Sequence, residues 1–181
     1  MLSLFYLTGL RTFEATTADM RTLRCSASGQ WLLVHGKRNK RREVPIPDAL
    51  YEELGQYRAV FGLPAAIAAD EDTPLLMAAN SKRKRASNST VLKAIINLIT
   101  RVADLARSRE QAGLADRLAE ATTHWLRHSC FSHLAQATGD LMMVGSIAGH
   151  ARLDTTSRYL HAEADELNMR VSQALTTPAS A

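Results

Sequence analysis

The apolar positions of this chain change their spacing several times, and each change marks an element. Residues 1–18 follow a helical pattern that breaks near Thr8-Gly9. Residues 31–34 are apolar and β-prone, residues 37–40 form a polar turn, and 42–46 resume an extended pattern ending among Pro45 and Pro47. With a strand at about 20–25, they predict a three-stranded antiparallel sheet. Pro47-Asp48 opens a helix whose buried stripe is Leu50, Leu54, Tyr57 and Phe61. Residues 62–86, with Pro64 and Pro74, read mostly as loop.

Ser89 or Thr90 is expected to cap a long helix carrying the stripe Val91, Leu92, Ile95, Ile96, Ile99, Val102 and Leu105, with Gly113 at its end or at a break. Helices are then expected at about 123–137, stopped by Gly139, and about 140–148, stopped by Gly149. Two more follow, at about 154–161 and an amphipathic one at about 162–174. The expected fold is α+β: a mainly helical domain over 1–175 with one small antiparallel sheet, then a frayed tail over 176–181.

Composition adds limits. A chain of 181 residues, 46% hydrophobic and 22% charged, suits one globular domain that buries its core without staples. Cys25 and Cys130 lie far apart and in no CxxC pair, which argues against a disulfide framework or a cysteine zinc site. Both read as small apolar fillers in a reducing cytoplasm. The opening LSLFYLTGL is too short to span a membrane and lacks the flanks of a secretory signal. The net charge is +4, with basic residues crowded into GKRNKRR (36–42) and SKRKR (81–85). Two basic loops on one small domain suit a phosphate backbone.

Four islands concentrate the chemically useful residues: TGLRTFE (8–14), HGKRNKRREVP (35–45), HWLRH (124–128) and AGHARLDTTSRYLH (148–161). In order and spacing they resemble the catalytic domain of tyrosine recombinases of the phage-integrase family. The pattern there is T-G-L-R-x-x-E, a hairpin with G-K-x-N-K-x-R-x-V-P, then H-x-x-R-H, G-H and T-T-x-x-Y. Any one island is weak, but four in order are specific.

The resemblance implies DNA cutting and rejoining through a 3′-phosphotyrosyl intermediate. Tyr159 is the implied nucleophile, and Arg11 and Arg127 the clamp on the non-bridging oxygens. Lys37 is the implied acid for the leaving 5′-oxygen, with Lys40 as its competitor. His124 aids proton transfer from the tyrosine, and His150 donates to the phosphate. Glu14, one helical turn beyond Arg11, is implied as an orienting partner rather than a reacting acid. Arg38, Lys40, Arg41, Arg42, Lys82, Arg83, Lys84 and Arg85 are the expected DNA-backbone contacts. The implied partners are double-stranded DNA and further protomers in a DNA-bound synaptic complex, with no cofactor, metal or membrane. The location implied is cytoplasmic and nucleoid-associated.

Bland readings stand beside these. His124 and His128 share a helix face at i, i+4, but without an HExxH glutamate or a cysteine pair a zinc site is disfavoured. His128 reads as a buried hydrogen-bonding residue, His133 and His161 as structural or surface, and Trp125 and Leu126 as core. Leu141, Met142, Val144 and Ile147 read as packing. The helix over about 162–174 serves equally to dock on a neighbour or to fold back.

The departures from the family pattern are Arg38 where the hairpin often has glycine, Thr12-Phe13 for an aliphatic-serine step, and Ala148 for a leucine. The family's N-terminal core-binding domain and lead-in helix are expected to be absent. Two alternatives remain: a truncated, non-catalytic DNA-binding remnant, and DNA relaxation in the manner of a type IB topoisomerase.

Overall fold

The computed structural model describes residues 1–27, 29–36, 41–79 and 83–149. Helix α1 (Leu2–Thr8) leads to α2 (Thr12–Thr17) and a 3-10 turn (Met20–Thr22). Strands β1 (Leu23–Ser26), β2 (Gly29–His35) and β3 (Arg41–Ile46) follow. The remainder is helical: α3 (Asp48–Val60), α4 (Asn88–Ser108), α5 (Ala112–Ala119), α6 (Thr123–Thr138) and α7 (Leu141–Ala148). This is the expected mainly helical domain with one three-stranded sheet.

The break in the first helix falls at Gly9, whose φ of 58° is left-handed and whose N–H donates to the Phe5 carbonyl. A Cβ there would lie 2.5 Å from the Phe131 ring, so both the turn and the close approach of α6 require glycine. The three strands run antiparallel in the order β1-β2-β3, with Leu23 opposite Leu32 and Leu32 opposite Val44. Alternate residues Leu32, Val34, Val44 and Ile46 are buried, which fixes the register, since a one-residue slip would expose them. They join Phe5, Leu10, Met20, Leu50, Leu75 and Ile95 in the main core. A second cluster, Phe131, Ala135, Val144 and Ala148, packs α6 against α7.

Several boundaries differ from expectation, each for a local reason. The first strand begins at Leu23 rather than near residue 20, because the Thr22 hydroxyl and N–H both return to the Asp19 carbonyl, at 2.6 Å and 3.0 Å. The cap of α4 is Ser87, not Ser89 or Thr90: its hydroxyl accepts the Thr90 N–H at 3.1 Å. That helix ends before Glu110, a non-glycine residue at φ 60°, while Gly113 lies inside α5. The apolar stripe of α4 is buried only at Val91 and Ile95; Ile96, Val102 and Leu105 are exposed. Ala103 and Ala106 take the inner positions in its second half, where α5 approaches with Ala115 buried. Small side chains permit that closer packing. Among the described residues, no helix is long and apolar enough to cross a membrane.

The loop after α3 is anchored by Arg58, a residue the hydropathy pattern does not single out. Its side chain is 1% exposed. Its guanidinium forks onto Glu71 at 2.7 Å and 2.8 Å, and donates to the carbonyls of Pro64 and Ala66 at 2.7 Å and 3.2 Å. Replacing Arg58 by alanine strands Glu71 and two inward carbonyls. The expected loss is about 3–5 kcal/mol, the range for breaking a buried pair on one side. Urea denaturation followed by circular dichroism measures it, and a loss under about 1 kcal/mol contradicts the anchoring role.

Candidate functional site

The first island bends so that its charged residues meet at the start of α2. Arg11 is the N-cap residue in extended conformation, and its N–H donates to Glu14 Oε2 at 2.8 Å. Its Nη1 also reaches Glu14 Oε1, at 3.1 Å. The Arg11 side chain is 48% exposed, whereas that of Glu14 is 1% exposed. The carboxylate is therefore an interior charge beside a surface cation, with Arg11 having no other partner among the described residues.

The interior charge has a second partner in the hairpin. Arg42 Nη1 and Nη2 fork onto Glu14 Oε1 and Oε2 at 2.6 Å and 2.8 Å. Its Nε donates to the Ile147 carbonyl at 2.8 Å. Arg42 thus departs from the expected role as a DNA-backbone contact. Its side chain is 10% exposed and its donors are spent inside the protein. Burial by itself would push the Glu14 carboxyl up, but the Arg42 hydrogen bonds, the Arg11 N–H and the charges of both guanidinium groups hold it below the usual carboxylate value.

Arg127, on α6, joins the first island to the end of α7. It is buried, and its guanidinium donates to the carbonyl of Gly9 and, at 2.8 Å, to that of Ala148. The same guanidinium lies 4.7 Å from the centroid of the Phe131 ring, a cation–π distance. Two arginines from different elements therefore hold the successive carbonyls of Ile147 and Ala148, just before the left-handed Gly149 at φ 66°. Last-turn carbonyls lack helix partners and carry the negative end of the helix dipole, so they suit cations. A Cβ on Gly149 would come within 2.9 Å of Arg42 Cδ.

Other candidates fall elsewhere. His124 is exposed in the first turn of α6, three residues before Arg127. His128 is exposed rather than buried, within 3.2 Å of the Ser132 hydroxyl one turn along its own helix. Trp125 is 50% exposed, not a core residue, because it points away from the face that buries Arg127 and Phe131. His133 is a surface residue that links α6 to α1 through Tyr6, whose hydroxyl lies 2.7 Å from His133 Nδ1. Cys130 is half-buried, its thiol pushed up to about 11 by burial despite the nearby Arg127 charge. Cys25, by contrast, is exposed.

Arg41, Arg83 and Lys84 are exposed, as backbone-contacting cations would be. Arg85 is only partly so employed: it caps α2, donating to the carbonyls of Thr16 and Ala18 at 2.8 Å and 2.9 Å and pairing with Asp19. Lys37, Arg38, Lys40, Lys82, His150, Tyr159 and His161 lie outside the described residues, as do the expected helices over 154–161 and 162–174. A hollow of about 520 Å³ between α2 and β2 runs past Phe13, Glu14 and His35 to Gly36.

Comparison with known proteins places this geometry in context. The model of the phage integrase family matches residues 1–166. A tyrosine recombinase XerC of Bifidobacterium longum (strain DJO10A) is 33% identical over 183 residues, covering 96% of this chain and 46% of the relative. XerC of Chromohalobacter salexigens is 35% identical over 174 residues, covering 96% and 51%. The chain thus spans about half the length of these curated relatives. Among solved structures, XerA recombinase aligns with a TM-score of 0.64 at 22% identity, covering 95% of this chain and 56% of that one. The catalytic domain of bacteriophage HP1 integrase aligns with a TM-score of 0.53 at 22% identity, covering 99% and 83%. These two likenesses establish the shared fold.

The Glu14 cluster has a signed pH consequence. Because its folded carboxyl is held below the unfolded value, its contribution to stability is complete above that value, near 4.5. It fades as pH falls through the lower folded value. Native chain is expected to lose stability over that acidic range more steeply than Glu14→Gln, which has no such proton to take up. Chemical denaturation at stepped pH between about 6 and 3 reads the difference; parallel curves for the two proteins refute it.

Proposed function

The chain belongs to the phage integrase family, and on that premise we propose that it is a DNA strand transferase that cuts and rejoins DNA through Tyr159. The observation that carries this reading is the convergence of distant islands: Arg11 and Glu14, the β3 strand, Arg127 and the end of α7 meet in one hydrogen-bonded cluster. A surface cation, Arg11, stands at its rim.

In the proposed step the Tyr159 oxygen attacks the scissile phosphorus and forms an O–P bond, while the bond from phosphorus to the 5′-oxygen breaks. The tyrosine proton passes toward His124, and the departing 5′-oxygen takes a proton from Lys37. Negative charge gathers on the non-bridging oxygens at the transition state. Arg11 meets it from the surface, and Arg127 from beneath while it braces Gly9 and Ala148. His150 donates to the same phosphate. Attack by a 5′-hydroxyl on the phosphotyrosine reverses the step and rejoins the strand. The bond energy is retained throughout, so the cycle needs no nucleotide triphosphate.

Exposed Arg41, Arg83 and Lys84, with Arg38, Lys40 and Lys82, supply sequence-independent contacts to the duplex. The DNA-bound relatives of this fold support that partner: XerH is described as bound to its difH substrate, and the Tn1549 transposon integrase as in complex with transposon end DNA. Strand exchange, as opposed to a single cut, requires further protomers on the same DNA.

The test is covalent trapping on supercoiled plasmid at low salt in EDTA, stopped with detergent and probed for protein-linked DNA. The native chain is expected to form an adduct that Tyr159→Phe lacks, with DNA affinity unchanged within about threefold. An adduct in Tyr159→Phe excludes this nucleophile. Binding without any adduct in the native chain makes it a non-catalytic DNA-binding protein, and relaxation without site preference makes it topoisomerase-like.

A further inference from the structure

We propose that Arg42 is a positioning residue for the cleavage step: it engages the charge of Glu14 so that Arg11 remains a cation available to the scissile phosphate. The inference rests on the strand-transferase reading above and assigns Arg42 a task distinct from holding DNA.

The argument begins with the four donors around Glu14. Oε1 accepts from Arg42 Nη1 at 2.6 Å and from Arg11 Nη1 at 3.1 Å; Oε2 accepts from Arg42 Nη2 and the Arg11 N–H, both at 2.8 Å. Arg42 makes the paired, planar contact, whereas Arg11 commits one corner of its guanidinium and its backbone. Paired geometry marks the stronger partner. Two guanidinium groups and one carboxylate leave a surplus of one positive charge. Arg42 is 10% exposed and Arg11 48% exposed, so the surplus sits on Arg11, at the surface.

Consider the same site with Arg42 neutral. Glu14 remains interior, and its only cation is Arg11. The pair then sums to zero, and the desolvated carboxylate draws the Arg11 guanidinium inward, away from a phosphate. Losing Arg42 therefore disables Arg11 without touching it. Arg42 has a second hold on the same region through the Ile147 carbonyl and its close contact beneath Gly149, the residue that leads into His150.

The position also has a sequence logic. Arg42 is in phase with Val44 and Ile46 on β3, the residues whose side chains are buried, whereas Arg41 and Glu43 alternate outward. A surface contact would be placed on the other phase.

The experiment compares the full native chain with Arg42→Gln, Arg42→Lys and the double variant Glu14→Gln/Arg42→Gln. Adduct formation on supercoiled plasmid gives the cleavage rate. The slope of log affinity against log salt on a duplex fragment of that plasmid counts phosphate contacts, at about 0.9 per contact. Arg42→Gln is expected to lower the rate by about 100- to 1,000-fold, the cost of losing one transition-state donor. Its salt slope should fall by about one contact. Arg42→Lys should retain part of the rate. The double variant, which removes the carboxylate that captures Arg11, should recover at least about tenfold in rate and regain the slope.

A merely structural Arg42 predicts no recovery in the double variant, and that result overturns the proposal, as does a rate in Arg42→Gln within about threefold of native. If Arg42→Gln does not fold, the double variant decides alone, since it leaves no unpaired buried charge. A rate within about 100-fold of native upholds the proposal, and a greater loss overturns it. If the native chain forms no adduct, the strand-transferase reading fails and the salt slope decides: a fall in Arg42→Gln that the double variant reverses upholds the role of Arg42, and an unchanged slope overturns it.

Discussion

Glu14 keeps a negative charge in the interior, and much of the site is arranged around that fact. Taking a carboxylate out of water costs several kcal/mol, so it stays ionised only if its oxygens are filled by donors. Here four donors from two arginines fill them. One of these arginines closes α2 at its own cap and the other crosses from the sheet, so the carboxylate joins the first helical segment to β3. The cluster orients groups and shapes local charge, while the bulk of the stabilisation comes from the apolar cores on either side of it.

The end of α7 is the second place where polar backbone governs the architecture. A helix terminus leaves carbonyls without partners, and in this chain the carbonyls of Ile147 and Ala148 accept from Arg42 and Arg127 respectively. Each arginine also reaches the first island, one at the side chain of Glu14 and the other at the carbonyl of Gly9. The two guanidinium groups form two struts between the first island and the end of α7. Gly9 and Gly149 sit at the ends of these struts, and both are packed so closely that a methyl group would collide with Phe131 or Arg42.

Much of this was legible in the sequence. The hairpin is legible in the apolar, β-prone run at 31–34 and the extended pattern at 42–46, and Gly139 and Gly149 mark the ends of α6 and α7, where each adopts a left-handed turn. The four islands carried the resemblance to the family whose model matches residues 1–166. Other features were misread because charge was equated with surface. Arg42 lies among basic neighbours in sequence, yet strand alternation puts it on the buried phase, and Arg85, in the second basic run, caps α2. Arg58 carries no local signal, since its partners arrive from a loop six to thirteen residues away. The outer half of the α4 stripe misled in the opposite sense: Ile96, Val102 and Leu105 are apolar at helical spacing, yet alanines make the close contact with α5.

The long reach of the arginine struts bears on how the protein comes into being. Arg127 meets Gly9 across 118 residues of sequence, and Arg42 meets Ile147 across 105. Such contacts form only after intervening elements have docked, because distant loop closure is costly until local structure is in place. A chain still emerging from the ribosome can complete its hairpin and α3, but it has no Arg127 and no end of α7 to close the cluster. These struts therefore close only once the domain is finished.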